Sequence, residues 1–152
     1  MLLAKGAEVN ARGGGYFTAL QDASRGGHET IVEILLAEGA EVNAQGGDFG
    51  GALQATSLGG HEKLVETLLA NGADVNAQGG NHGNALLAAS ADGHQKIVEM
   101  LLAKCADVNV QASYYNSKAQ GWGHGNTLQA ASECGHKKVV EILRAQGADA
   151  TA

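Results

Sequence analysis

Apolar residues along this chain come in short bursts at a fixed beat. "HETIVEILLA" at 28–37 places Ile31, Val32, Ile34, Leu35 and Leu36 on one broad face. "HEKLVETLLA" at 61–70, "HQKIVEMLLA" at 94–103 and "HKKVVEILRA" at 136–145 repeat that design. Apolar positions three and four apart predict an amphipathic helix in each burst. Ahead of each lies a segment of small residues, "TALQDASRG", "GALQATSLG", "NALLAASAD" and "NTLQAASEC", which reads as a shorter first helix. Gly27, Gly60, Gly93 and Gly135 separate the two helices, where a tight turn favours positive φ. Gly39 closes the second helix, and "NAQGG" at 43–47 and again at 76–80 is the glycine-rich bend leading into the next unit.

The beat is 33 residues. Asn10, Asn43, Asn76 and Asn109 keep it, each preceded by Val, and so do His28, His61 and His94. His136 follows only after 42, so nine residues have been added between Asn109 and Asn126. The expected organisation is one repeat domain over 1–152, with a partial unit at 1–9 and units at about 10–42, 43–75, 76–108 and 109–149, the insertion falling between 110 and 125. Neither helix of a unit is long enough to be stable alone. Each must bury itself on its neighbours, which predicts a stack of units held by contacts between adjacent ones.

Gly93-His94, "IVEMLL" at 97–102 and "GADVN" at 72–76 together resemble the ankyrin repeat. The family's Thr-Pro-Leu-His start is absent: the chain has Asn84-Ala85-Leu86-Leu87 or Thr18-Ala19-Leu20-Gln21 there, and the lost Pro removes a preset helix start. The loop glycine is displaced by one place, with Phe49 and His82 in its column and Gly50 and Gly83 after them. The resemblance implies an all-α fold, a solenoid of stacked helix-turn-helix units with glycine-rich finger loops. The wording "GNALLAAS", "GGH" and "NAQGG" is similar to the C-terminal ankyrin arrays of filamentous-fungal NACHT-type receptors. The chain has no GxxxxGK[ST] phosphate loop, so any nucleotide-binding domain would lie elsewhere in a longer protein.

Met1 falls in the column of Ile34, Thr67 and Met100, inside a second helix. The array is therefore expected to begin mid-unit, leaving Met1, Leu2 and Leu3 uncovered and prone to self-association. At the other end Arg144 replaces Leu36, Leu69 and Leu102, and "DVN" decays to Asp149-Ala150-Thr151, as expected of a face with no following unit. The chain reads as a fragment of a longer signalling or receptor protein.

Composition narrows the partners. Sixteen acidic and ten basic residues leave a net charge of −6, which argues against nucleic acid, whose phosphates call for clustered Lys and Arg. Cys105 and Cys134 sit in unrelated contexts, no disulfide framework, and favour a reducing, cytoplasmic setting. No apolar stretch is long enough to span a membrane.

Candidate chemistry is thin. Histidines repeated one per unit are architectural, placed to bond loop backbone of a neighbouring unit. "HETIV" and "HEKLV" begin like a zinc-protease helix, but Val32 and Val65 stand where the second His is needed, so no metal is expected. Ser24, Ser57, Ser90 and Ser132 share a small-residue column, Cys134 near His136 lacks an orienting third group, and Gly121 to Gly125 follow no buried strand; none suggests catalysis or a cofactor. Cys105 occupies the helix-ending column of Gly39, Gly72 and Gly147, at a cost of about 1 kcal/mol if that position is left-handed.

Two features point to binding. One ring per unit, Tyr16, Phe49, His82 and His124, occupies the bend, either anchoring a partner or packing on its own loop. The insertion concentrates Tyr114, Tyr115 and Trp122; it is either a tolerated loop or part of a binding face. The family resemblance adds Arg12, Asp48 and Asn81 at the tips and Arg25, Leu58, Ala91, Asp92 and Glu133 at the exposed end of the first helix. The expected function is that of a protein–protein interaction module with a concave surface. The alternative is a structural spacer without a selective partner, and an enzyme is the least favoured reading.

Overall fold

A computed structural model of the chain describes residues 7–15, 17–116 and 118–149. Tyr16 and the uncovered trio Met1, Leu2 and Leu3 lie outside the described residues. Eight helices and two strands follow in the order α1 (Ala19–Arg25), α2 (Glu29–Ala37), α3 (Ala52–Gly59), α4 (Glu62–Ala70), α5 (Ala85–Asp92), α6 (Gln95–Ala103), β1 (Gln111–Asn116), β2 (Gly121–Asn126), α7 (Thr127–Cys134) and α8 (Lys137–Ala145).

The helices form two layers. The first helices pack in sequence, α1 on α3, α3 on α5 and α5 on α7, while α2, α4, α6 and α8 do the same behind them. The core runs between the layers: Leu20, Leu53, Leu86 and Leu128 from the front meet Val32, Val65, Val98, Leu68, Leu101 and Leu143 from the back. Ile31 departs from its expected place on the apolar face, being 46 % exposed, whereas its counterparts Leu64, Ile97 and Val139 are buried. Small residues in the front helices let neighbours approach: Ser24, Ser57 and Ser90 are fully buried in that layer. Ser132, the fourth of the column, is exposed.

Caps replace the missing Pro. Thr18 and Asn126 each form a capping box with a Gln three residues on, and Asn84 accepts from Leu87 N–H. Each such cap contributes about 1 kcal/mol. Polar side chains also tie one unit to the next. Asn43 donates to Gly72 O and accepts from Asp74 N–H, and Asn76 does the same with Cys105 O and Asp107 N–H. His61, His94 and His136 bond through Nε2 to Arg25 O, Leu58 O and Ala91 O of the preceding unit, at 3.1, 2.9 and 2.9 Å.

Those imidazoles also fill the space over the turn glycines. A methyl group on Gly27, Gly60 or Gly93 would lie 2.6, 2.7 or 2.4 Å from the ring of His61, His94 or His136. At Gly135 the same place is taken by the ammonium of Lys118, which arrives from the inserted segment.

That segment adds a small sheet to a fold otherwise helical as expected. Gln111–Asn116 and Gly121–Asn126 form a two-stranded antiparallel hairpin, pairing Gln111 with Asn126, Tyr114 with Gly123, Tyr115 with Trp122 and Asn116 with Gly121. Asn116 Oδ1 closes the turn by accepting from the N–H groups of Lys118 and Ala119, both at 3.0 Å. Side chains alternate across a strand, so Tyr114 points inward and Tyr115 outward. Tyr114 is 0 % exposed and packs with Leu87 and Ala91 of α5 and Ala130 and Cys134 of α7.

Candidate interaction site

The bends bring the chain's scarce rings to one edge of the front layer. Each is closed by backbone pairing, with Gly46 N–H on Gly50 O at 2.7 Å and Gly79 N–H on Gly83 O at 2.9 Å. Successive bends touch: Asn81 N–H donates to Asp48 O at 2.7 Å. Gly80, at φ 66°, allows this approach, because a methyl group there would lie 2.4 Å from Gly50 N and 2.5 Å from Phe49 C. The hairpin stands beside the second of these bends. Its outward pair, Tyr115 and Trp122, meets edge-on with ring centroids 5.7 Å apart, and Trp122 lies 5.5 Å from the His82 ring.

Between these tips is a cavity of about 340 Å³, lined by Asp48, Phe49, Leu58, Asn81, His82, Asp92, Tyr115 and Trp122. It has an aromatic wall, one aliphatic patch at Leu58 and two carboxylates. Phe49 is also contacted by the Phe17 ring at 5.9 Å and by Arg25, whose guanidinium carbon sits 5.0 Å from its centroid. His82 is buried, and its Nδ1 has no hydrogen-bond partner among the described residues. Burial holds its imidazole below the ordinary pKa, an effect that the Asp92 carboxylate opposes. Burial thus favours the neutral ring.

The residues singled out in the sequence divide into three groups. Phe49, Leu58, His82, Asp92, Tyr115 and Trp122 converge on the cavity, as do Asp48 and Asn81. Arg25 stacks behind it, and Arg12 turns away to donate to Gln45 O at 2.6 Å. His124 is exposed on the hairpin opposite Ser113 and does not line the cavity.

Two residues expected to face a partner, Tyr114 and Ala91, are buried instead. Tyr114 is an inward strand position, and its hydroxyl donates to Glu133 Oε2 at 2.5 Å. Burial and the Glu133 carboxylate both push the Tyr114 phenol pKa well above its ordinary value, so it stays protonated as the donor. Glu133 is thereby engaged in holding the hairpin to α7, and Ala91 is buried beneath it.

Sequence reasoning missed that the two groups of contact residues meet. The cross-strand pair is visible only once the strand register is known, since "QASYYN" alternates polar and apolar residues only as far as Tyr114 and "GWGHGN" has one large apolar residue. A larger cavity, about 410 Å³, lies along α7 and α8, but Lys137, Glu141, Arg144 and a His136 already bonded to Ala91 O give it little apolar anchorage. Among the described residues no cluster of His, Cys, Asp or Glu is arranged to hold a metal ion, and no helix is long and apolar enough to cross a membrane.

Residues 52–152 match the family model for ankyrin repeats in three copies, and residues 16–47 match that for a single ankyrin repeat. The chain matched no curated protein. With the unit-to-unit Asn and His bonds described above, these matches establish that the chain belongs to the ankyrin-repeat family.

Proposed function

We propose that the chain is a protein–protein interaction module, an ankyrin solenoid whose units at about 10–42, 43–75, 76–108 and 109–149 present a concave surface to a protein partner. Ankyrin repeats in general serve protein–protein interaction and do no chemistry of their own. The observation that carries the reading is the convergence of Phe49, Leu58, His82, Asp92, Tyr115 and Trp122 on one cavity at the tips of three successive units. Tyr115 and Trp122 are 44 % and 58 % exposed in a chain that is only 4 % aromatic. Exposed aromatics beside a cavity are the side chains that most often anchor a partner. By resemblance to the fungal NACHT-type receptors, the module would belong to a larger cytoplasmic receptor, where it recognises a trigger or restrains activation; fold likeness alone carries that context.

The test is quantitative capture from native extract by the chain and by a Tyr115→Ala/Trp122→Ala variant, both checked for helicity. Deleting 114–122 would confound the result, because it removes the buried Tyr114 as well. Selective capture by the parent, lost in the variant, is expected. Equal capture by both moves the site off the cavity, and no selective capture by either favours a structural spacer.

A further inference from the structure

We propose that the cavity receives the side chain of an arginine carried by the protein partner. This deepens the interaction-module reading, on which it rests, by naming the residue that the site selects.

Two features of the cavity converge on a guanidinium. The first is its wall. Phe49, Tyr115, Trp122 and Leu58 offer flat and aliphatic surface, which suits a planar, weakly hydrated cation on an apolar stem. The second is charge. Asp48 and Asp92 both line the cavity, and among the described residues neither takes part in an ion pair. A net charge of −6 reinforces attraction of a cation over distance. A guanidinium brings five N–H donors in a fixed fork and can bind a carboxylate through two of them at once. A lysine ammonium is compact and strongly hydrated, and it cannot lie flat against the rings.

The chain supplies its own precedent. Arg25, which does not line the cavity, already lays a guanidinium 5.0 Å from the Phe49 centroid. An arginine from a partner would make the same kind of contact with Trp122 and Tyr115 as platforms. An acidic side chain would meet Asp48 and Asp92 at close range, and a purely aliphatic one would leave both carboxylates without a counter-charge.

The chain has one tryptophan, Trp122, so its emission reports on this cavity alone. The intact chain is titrated with a capped Gly-Arg-Gly peptide and with its lysine and citrulline counterparts, the last isosteric but uncharged. A saturable change with the arginine peptide is expected, with about tenfold weaker binding of citrulline. Asp48→Asn/Asp92→Asn, unchanged in helicity, should weaken the arginine response and its salt dependence together. Equal response to citrulline or to lysine overturns the guanidinium assignment, and so does silence toward all three.

Selection from a random peptide library on the parent, counter-selected on Tyr115→Ala/Trp122→Ala, separates the two levels. Arginine enriched among cavity-dependent peptides supports the proposal. Cavity-dependent peptides without arginine overturn it while leaving the interaction module standing. No cavity-dependent peptide at all brings down both.

Discussion

The bends at 46–50 and 79–83 and the hairpin at 111–126 do the same job by different means. Each carries the chain from the back layer of one unit to the front helix of the next. A bend does so with one backbone bridge of its own and leans on its neighbour, as Asn81 N–H does on Asp48 O. The hairpin carries six paired positions of its own and fastens itself by side chains, Tyr114 driven between α5 and α7 and Lys118 over Gly135. Extra loop length costs little in entropy, roughly 0.6 kcal/mol per doubling. What makes the insertion a structure is the burial of one ring.

The largest effect should come from separating the adjacent tyrosines. Tyr114→Ala removes a fully buried ring and its bond to Glu133, so a loss of about 3–5 kcal/mol is expected. Tyr115→Ala leaves the core intact and loses only a cross-strand ring contact, about 0.2–1 kcal/mol. Urea denaturation of both variants makes the comparison. Similar losses would mean that the hairpin is held by its own ladder and not by the front layer.

That pair also marks the limit of what the sequence discloses. The helices were legible because Ile97, Val98 and Leu101 recur at a helical spacing and because the unit is written four times over. The His bonds were legible for the same reason, since a residue repeated at 28, 61, 94 and 136 serves the repeat. Tyr114 and Tyr115 have no such column. They are identical neighbours, and which one points inward depends on a strand register for which Ala112, small and two places before Tyr114, is a weak signal. The site was legible in pieces: Phe49 and His82 as a ring column, Leu58 and Asp92 as a helix-end column, Trp122 as part of the insertion. Their meeting depends on where the hairpin stands, and that follows from Tyr114.

A smaller effect should distinguish two glycines of the same strand. Gly123 pairs with Tyr114, and a methyl group there would come within 2.7 Å of the tyrosine ring. The ring is wedged between two helices and has nowhere to retreat, so Gly123→Ala should cost about 1–3 kcal/mol. At Gly121 the nearest atom would be 4.0 Å away, and Gly121→Ala should stay within about 0.5 kcal/mol. Trp122 sits between the two glycines, so its emission follows the unfolding of both variants. Equal costs would argue that the strand needs glycine for its backbone and not for the room that Tyr114 takes.

The smallest effect contrasts the unit ending in Cys105 with the one ending in Gly72. Both positions are left-handed, at φ 63° and 87°, and nothing lies within 4 Å of where a side chain on Gly72 would begin. The difference between them is therefore backbone strain, about 1–2 kcal/mol for a residue with a Cβ. Glycine relieves that strain but loosens the unfolded chain, which takes back roughly 0.4–1 kcal/mol. Cys105→Gly should thus gain about 0.5–1 kcal/mol, raising the melting temperature by about 1–4 °C for a chain of this length. Gly72→Ala should lower it by a similar amount. Cys105 O accepts from Asn76 Nδ2 at 3.2 Å, so the cysteine's backbone already holds the place its glycine counterpart holds in the inter-unit ladder. Substituting its side chain leaves that bond in place. A Cys105→Gly variant that melts lower would therefore mean that the thiol makes a stabilising contact outweighing the strain.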